Sequence, residues 1–321
     1  MSESQHSESR RVPAVVAFGA GLVVAVQGRI NGEVGDLTGN GVLSALLNFA
    51  VGLLLLVVLV ASRQVTRDAL RALPSMVGPT GLPWWTLIGG IGGAIYVTGQ
   101  SATVAVLGVA LFTVATVAGS TGAGLLVDKV GLGPGGRVPV NVGRVVAAVL
   151  AVVAVWVGSG GRDAAGAVSI PFLLLALLAG AAGAVQVGLN GRVSTATGQP
   201  LVAALVNFVV GLILLLLIVA MQALLDPDAV GSLRPLSERP WLLVAGTMGV
   251  LFVAGSAWSV RALGVLLLSL IVLAGTLVGA VAVDLVVPTS GALVNGYLIA
   301  GIVLTFASVG LAVVRRRVPP A

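Results

Sequence analysis

Gly21–Ala61 reads GLVVAVQGRINGEVGDLTGNGVLSALLNFAVGLLLLVVLVA, and Gly180–Ala220 reads GAAGAVQVGLNGRVSTATGQPLVAALVNFVVGLILLLLIVA. Laid on one another without a gap, about twenty of the forty-one positions are identical. The matches include Gln27/Gln186, Asn31/Asn190, Gly32/Gly191, Asn48/Asn207, Phe49/Phe208 and Gly52/Gly211. Two unrelated apolar helices share leucines and valines by composition, but they do not share amides and glycines in register, so the chain is an internal duplication. A second block, shifted by three residues relative to the first, pairs Trp85/Trp241, Gly93/Gly249, Gly99/Gly255, Leu107/Leu263, Gly108/Gly264, Gly119/Gly275 and Asp128/Asp284.

Composition says what solvent the repeats meet. Of 321 residues, 58% are hydrophobic and only 9% charged, with a mean hydropathy of +1.12. That excludes an ordinary water-soluble domain and predicts an all-α integral membrane protein, since helices satisfy their own backbone hydrogen bonds in lipid. Apolar stretches of spanning length are expected near 13–32, 41–61, 84–103, 105–127 and 141–158, and again near 171–190, 200–224, 241–260, 264–287 and 293–314. The expected organisation is a cytoplasmic tail at 1–12, a five-helix repeat at 13–160, a second at 161–314 and a cytoplasmic tail at 315–321.

Basic residues set the orientation. With the N-terminus inside, Arg10, Arg11, Arg63, Arg67, Arg71, Lys129, Arg137, Arg144, Arg192, Arg261 and Arg315, Arg316 and Arg317 face the cytoplasm, and only Arg29, Arg162, Arg234 and Arg239 face out. Both termini are then cytoplasmic. The sequence pI near 11.2 reflects this bias and not nucleic-acid binding, for which there is no basic surface interleaved with aromatics. Because five is odd, the second repeat enters the membrane inverted, an arrangement that gives many carriers two near-equivalent states open to opposite sides.

Polar residues inside the spans are the candidate site. Gln27 and Asn31 stand one turn apart on one helix face, Gln186 and Asn190 repeat that face, and Asn48 and Asn207 follow in the next helix of each repeat. They either line a polar cavity or tie neighbouring helices together. Tyr96 and Gln100, also one turn apart, are further candidates for substrate contact. Asp128 and Asp284 end corresponding helices on opposite sides of the membrane, either as interfacial helix ends or as gating or ion-coupling residues. No carboxylate sits mid-span, so a buried acid that would couple transport to protons is not expected. Arg261, in a very short connection, reads as an inner-surface anchor. The GSTGAG run at Gly119–Gly124 lacks the Gly-Lys-Ser/Thr ending of a phosphate loop and lies in an apolar helix, which assigns it to packing.

Other chemistries are excluded. The chain has no cysteine, and its one histidine, His6, lies in the polar N-terminal segment, so thiolate or histidine metal sites and Ser–His catalysis are not expected. Arg10 and Arg11 before an apolar run imitate an export signal, but the repeat copy of that run is internal and no clear cleavage site follows. No soluble domain is expected, because the longest polar stretch is about Asp226–Arg239.

The pattern Gln-x-x-x-Asn-Gly followed by Asn-Phe-x-x-Gly, present at Gln27, Asn31, Gly32, Asn48, Phe49 and Gly52 and again at Gln186, Asn190, Gly191, Asn207, Phe208 and Gly211, resembles the YdcZ family of the drug/metabolite transporter superfamily. The resemblance spans nearly the whole chain. It implies a ten-helix, inverted-repeat carrier of the prokaryotic inner membrane, an exporter of small metabolites or drugs working by alternating access, without cofactor or enzymatic activity. Some members are single five-helix chains that pair, so the fused duplication implies a self-contained pair and points to a monomer whose partners are a small-molecule substrate and membrane lipid. The superfamily's small multidrug members carry a membrane-embedded glutamate in their first helix, and this chain has no carboxylate there, a departure that argues against proton-driven multidrug antiport. A neutral or zwitterionic solute is the expected cargo. The other reading is a membrane structural or assembly protein in which the amides only hold helices together. A channel lacks a charge ring or filter sequence, and an intramembrane enzyme lacks a base.

Overall fold

The computed structural model describes residues 3–160 and 170–314. Arg162, the second-repeat start expected at 161–169 and the tail at 315–321 lie outside the described residues.

The helices, in chain order, are α1 (Glu3–Thr38), α2 (Gly41–Ala61), α3 (Gln64–Met76), α4 (Gly89–Leu107), α5 (Val109–Val130), α6 (Val142–Gly158), α7 (Ile170–Thr197), α8 (Pro200–Leu225), α9 (Arg234–Ser237), α10 (Ala245–Val286) and α11 (Gly296–Val314). Seven segments are long and apolar enough to cross a membrane, and three shorter apolar helices, Val142–Gly158, Pro240–Val253 and Gly296–Ala312, accompany them. No strand occurs among the described residues, only an isolated bridge between Val77 and Leu82.

Helix ends follow local chemistry. The Asn40 side chain accepts from the Val42 and Leu43 amides and starts α2, as an asparagine N-cap does. Pro200 occupies the first turn of α8, where its missing N–H costs nothing. The α1 helix outruns the expected 13–32 at both ends, because hydropathy marks only where lipid begins and nothing in Glu3–Val12 stops a helix. The α3 helix is absent from the apolar reading because it is amphipathic: Leu73 and Thr66 are buried, while Arg63, Arg67 and Arg71 belong to a polar face.

The two copies pack with exchanged partners. Around α7, α4 runs one way, with Gly89 against Asn190 and Gly99 against Ala179, and α5 returns, with Gly119 against the Leu177 carbonyl and Arg192 reaching Gly131. Around α1, Leu242 clusters with Val34, Gly249 lies by Gln27 and Gly255 by Val16 and Ala20; Gly275 then meets the Phe18 carbonyl, Gly279 meets Ala25, and Arg29 reaches Val287. Helical backbone is continuous through α10, where two helices joined near Arg261 are expected, yet the contacts along α1 reverse direction between Gly255 and Val272. The corresponding reversal in the first repeat is a visible break, at Gly108 with φ 77° and ψ 163°, a region open essentially only to glycine.

Close approach at these crossings needs glycine. A Cβ on Gly21 would stand 2.2 Å from the Val272 carbonyl oxygen, and one on Gly180 2.0 Å from that of Thr116, and residues 272 and 116 are themselves repeat counterparts. At the centre Phe49 and Phe208 meet with ring centroids 4.8 Å apart, each ring lying over the other repeat's glycine, Gly211 or Gly52. The α6 and α11 helices pair with each other through Gly158 and Gly301 on the far side of α5.

Candidate functional site

The amides form two separate networks, one per repeat. In the first, Asn48 donates to the Asn31 carboxamide oxygen at 2.9 Å, and Asn31 donates to Gln100 at 2.8 Å. Ser44 adds bonds to the Asn31 carbonyl at 3.0 Å and to Ser101 at 2.9 Å. All five side chains are buried, with exposures of 5% or less. The void beside them is about 10 Å³, room for a single water at most.

In the second network, Gln186 and Asn190 both donate to the Asn207 carboxamide oxygen, at 3.1 and 3.0 Å. Asn207 is buried, but Gln186 and Asn190 are half-buried. Their own carboxamide oxygens make no hydrogen bond among the described residues, and that of Asn190 lies against Gly89 at the start of α4. The bond corresponding to Asn31–Gln100 is missing: the counterpart of Gln100 is Ser256, whose hydroxyl is buried without a hydrogen-bond partner, and among the described residues α10 does not pack on α7 as α4 packs on α1. Ser44 is replaced by Ala203 and Ser101 by Ala257.

The helix ends show the same contrast. At the first network's end, the Thr289–Gly291 turn sits on the end of α4: Gly291 N–H donates to the Ala105 carbonyl at 3.1 Å, and a Cβ on Gly291 would lie 1.7 Å from the Val106 carbonyl oxygen. The counterpart of Gly291 is Gly135, which has nothing within 4 Å among the described residues. Beside that second end opens a cavity of about 550 Å³, lined by Met76 and Pro83 before α4, Pro134 and Gly136 before α6, and Arg192 and Thr195 on α7.

The two aspartates occupy the two ends of α5, about 30 Å apart by the helical rise. Asp284, buried, accepts from the Val109 and Ala110 amides at 2.9 and 2.8 Å and thereby caps the start of α5 from the other repeat. Negative charge at a helix start meets unsatisfied N–H groups and the positive end of the dipole. Asp128, at the other end of α5, forms an ion pair with the buried Arg144. Of the remaining candidates, Gln27 is half-buried beside Gly249 and Tyr96 lies against Gly183 and edge-on to Phe112. Neither joins an amide network. The GSTGAG run is helical, with Gly119 in backbone contact with α7.

Sequence reasoning did not find the hydroxyls Ser44 and Ser101, which carry no signal in an apolar helix. Nor did it find the ion-pair cluster in which Glu33 bridges Arg29 at 3.0 Å and Arg239 at 2.9 Å; there the i, i+4 spacing of Arg29 and Glu33 was a legible sign.

A family model described as "Putative inner membrane exporter, YdcZ" matches residues 12–157 and again 171–311, one match per repeat. No curated protein matches the chain. A solved structure described only as "Crystal structure of protein" is similar in fold, with a TM-score of 0.55 at 19% identity over 96% of this chain and 97% of that one. With both repeats matched over nearly their whole length and each containing helices long and apolar enough to cross a membrane, the chain belongs to the YdcZ family of the drug/metabolite transporter superfamily, a family described as inner-membrane exporters.

Proposed function

We propose that the protein exports small polar solutes by alternating access, with ten spans in two inverted five-helix repeats and both termini in the cytoplasm. The seven long apolar segments and the three shorter apolar helices among the described residues add to ten, and the bias of the basic residues supports the first amide network in the outer half and the second in the inner half. The observation that carries the reading is the contrast between two networks built from the same repeated amides. The outer one is closed on itself and dry, and the inner one is half-exposed at the end where a cavity opens. A carrier open to the cytoplasm has this form.

In this reading Gln186 and Asn190 meet the solute first, through carboxamide oxygens that accept from an ammonium, amine or hydroxyl. Gln27, Asn31, Asn48 and Gln100 meet it after the outer half opens, with Tyr96 and Asn207 at the boundary. Asp284 and Asp128 gate the two ends of α5. The runner-up, a structural protein with amides as glue, draws on the full satisfaction of the outer network.

Thermal unfolding of the purified protein against a library of small metabolites and drugs tests the reading. Stabilisation by a ligand class, lost in a Gln186→Ala, Asn190→Ala double variant that still folds, is expected. A ligand response identical in that variant would sink the assignment of the site. Cysteine labelling should find Ser62→Cys reactive from inside and Ser290→Cys from outside, and the reverse result would overturn the inverted arrangement.

A further inference from the structure

Arg192 is held by two backbone carbonyls and an aromatic ring face. Its Nε donates to the Leu132 carbonyl at 2.9 Å and its Nη2 to that of Gly131 at 2.6 Å, while the guanidinium carbon lies 5.3 Å from the Trp85 ring centroid. These contacts fix the plane and leave the Nη1 edge without a hydrogen bond. Carbonyls and a ring face do not neutralise the charge, and no carboxylate lies within ion-pair distance among the described residues. The residue lines the cavity of about 550 Å³ and is its one charged lining side chain.

The repeat sharpens the point. At the other end of the molecule Arg29 makes the matching tie, Nε to the Val287 carbonyl at 3.0 Å, and residue 287 is the counterpart of 131. There the charge is paired with Glu33. The second-repeat counterpart of Glu33 is Arg192 itself, so the end that has a carboxylate in one half has a guanidinium in the other. The nearest inner carboxylate along α5, Asp128, already faces Arg144.

We propose that this cavity, at the cytoplasmic end of α7, is an anion-recognition vestibule in which Arg192, pre-oriented on Trp85, takes the carboxylate or equivalent anionic group of an organic solute before it reaches Gln186 and Asn190. A planar, fixed guanidinium recognises such a group through paired N–H donors. With amide oxygens deeper along α7, the combination suits a solute bearing both an anionic group and a hydrogen-bond donor. The inference rests on the inward-open reading above.

The chain has no cysteine, so Ala196→Cys at the cavity wall provides a single reporter. In phosphatidylcholine vesicles its rate with an anionic methanethiosulfonate, divided by its rate with a neutral one, should fall ~tenfold when Arg192→Gln is added, as removal of a focusing charge requires, and recover with Arg192→Lys. Benzoate should slow labelling with the neutral reagent when Arg192 is intact, and benzamide should not. That arm needs no variant at Arg192, so it stands even where Arg192→Gln fails to fold. An unchanged ratio, or equal protection by benzoate and benzamide, would overturn the proposal. A ratio that falls without benzoate protection overturns it too, since it shows a positive surface and no site. Protection by phosphatidylglycerol vesicles alone would assign the guanidinium to a lipid headgroup and overturn the solute reading. None of these outcomes depends on turnover, so they are separable from failure of the transport reading, which shows as labelling of Ala196→Cys from the outside only.

Discussion

The amide networks of the first and second repeats descend from one sequence and have diverged in what holds them shut. Around Asn31 the first repeat has Gln100, Ser44 and Ser101, and every one of these groups is bonded and buried. At the positions that correspond in sequence to Gln100, Ser44 and Ser101 the second repeat has Ser256, Ala203 and Ala257, and its amides converge on Asn207. Backbone contacts at glycine crossings are the same in both halves, and the difference lies in side-chain hydrogen bonds at the ends. The common crossings keep the fold, while the two ends of the molecule are held by unequal sets of side-chain hydrogen bonds. In the proposed reading that difference is what a carrier resting open to the cytoplasm needs, a first-repeat end that closes more firmly than the second.

The largest effects should fall where the halves are alike. Alanine at Gly21 or Gly180 drives a methyl into a backbone carbonyl 2.2 or 2.0 Å away, an obstacle that no rotamer change relieves. Each variant should lose about 3 kcal/mol or more, the top of the range for overpacking, and fail to give a cooperative melt in detergent. A large loss at one site and a small one at the other would break the equivalence of the crossings.

Next come the networks themselves. Asn31→Ala strands Asn48 and Gln100 in a dry interior, and should cost about 2 kcal/mol. Asn190→Ala leaves Asn207 still bonded to Gln186 at a site that is only half-buried, so its cost should stay near the ~0.6 kcal/mol typical of bonds between membrane helices. Melting temperatures of the two variants check the ordering. Equal losses would mean that the second network is as closed as the first.

Much of this was legible in the sequence, and the reason is specific. Gln27, Asn31, Asn48 and their counterparts stood out because an amide in an apolar run is rare and because each occurred twice. The pairing of Asn31 with Gln100 was not legible, since it joins α1 to α4 and no periodicity within one helix points across to another. Ser44 and Ser101 were hidden for a different reason: a serine in a membrane helix can bond its own backbone, as Thr103 does to Gly99, and so needs no partner. The amphipathic α3 was invisible to a search for apolar runs. Asp284 was recognised as a helix end, but its partner is the start of another repeat's helix, a relation fixed only by the fold.

That relation supplies a smaller effect. Asp284→Ala removes both acceptors from the Val109 and Ala110 amides and should cost about 1 kcal/mol, the usual worth of an N-cap. The loss should be recovered in part by Asp284→Asn, which keeps one acceptor oxygen. If Asp284 gates the outer end, the same variants should speed outside labelling of Ser290→Cys. If it serves only as a cap, the melt should shift and the labelling rate should not.

The smallest effect should come from glycines that the crossings do not use. Gly19 stands two residues before Gly21 on α1, yet nothing lies within 4 Å of a Cβ added there, and the same holds for Gly122 on α5. Both are in regular helix, where alanine is favoured over glycine by about 0.5–1 kcal/mol. Gly19→Ala and Gly122→Ala should therefore leave the melting temperature unchanged or raise it slightly, opposite in sign to Gly21→Ala on the same helix. A marked loss at Gly19 or Gly122 would mean that another surface closes over that glycine in a second state, and it would locate which helix faces move between the two states.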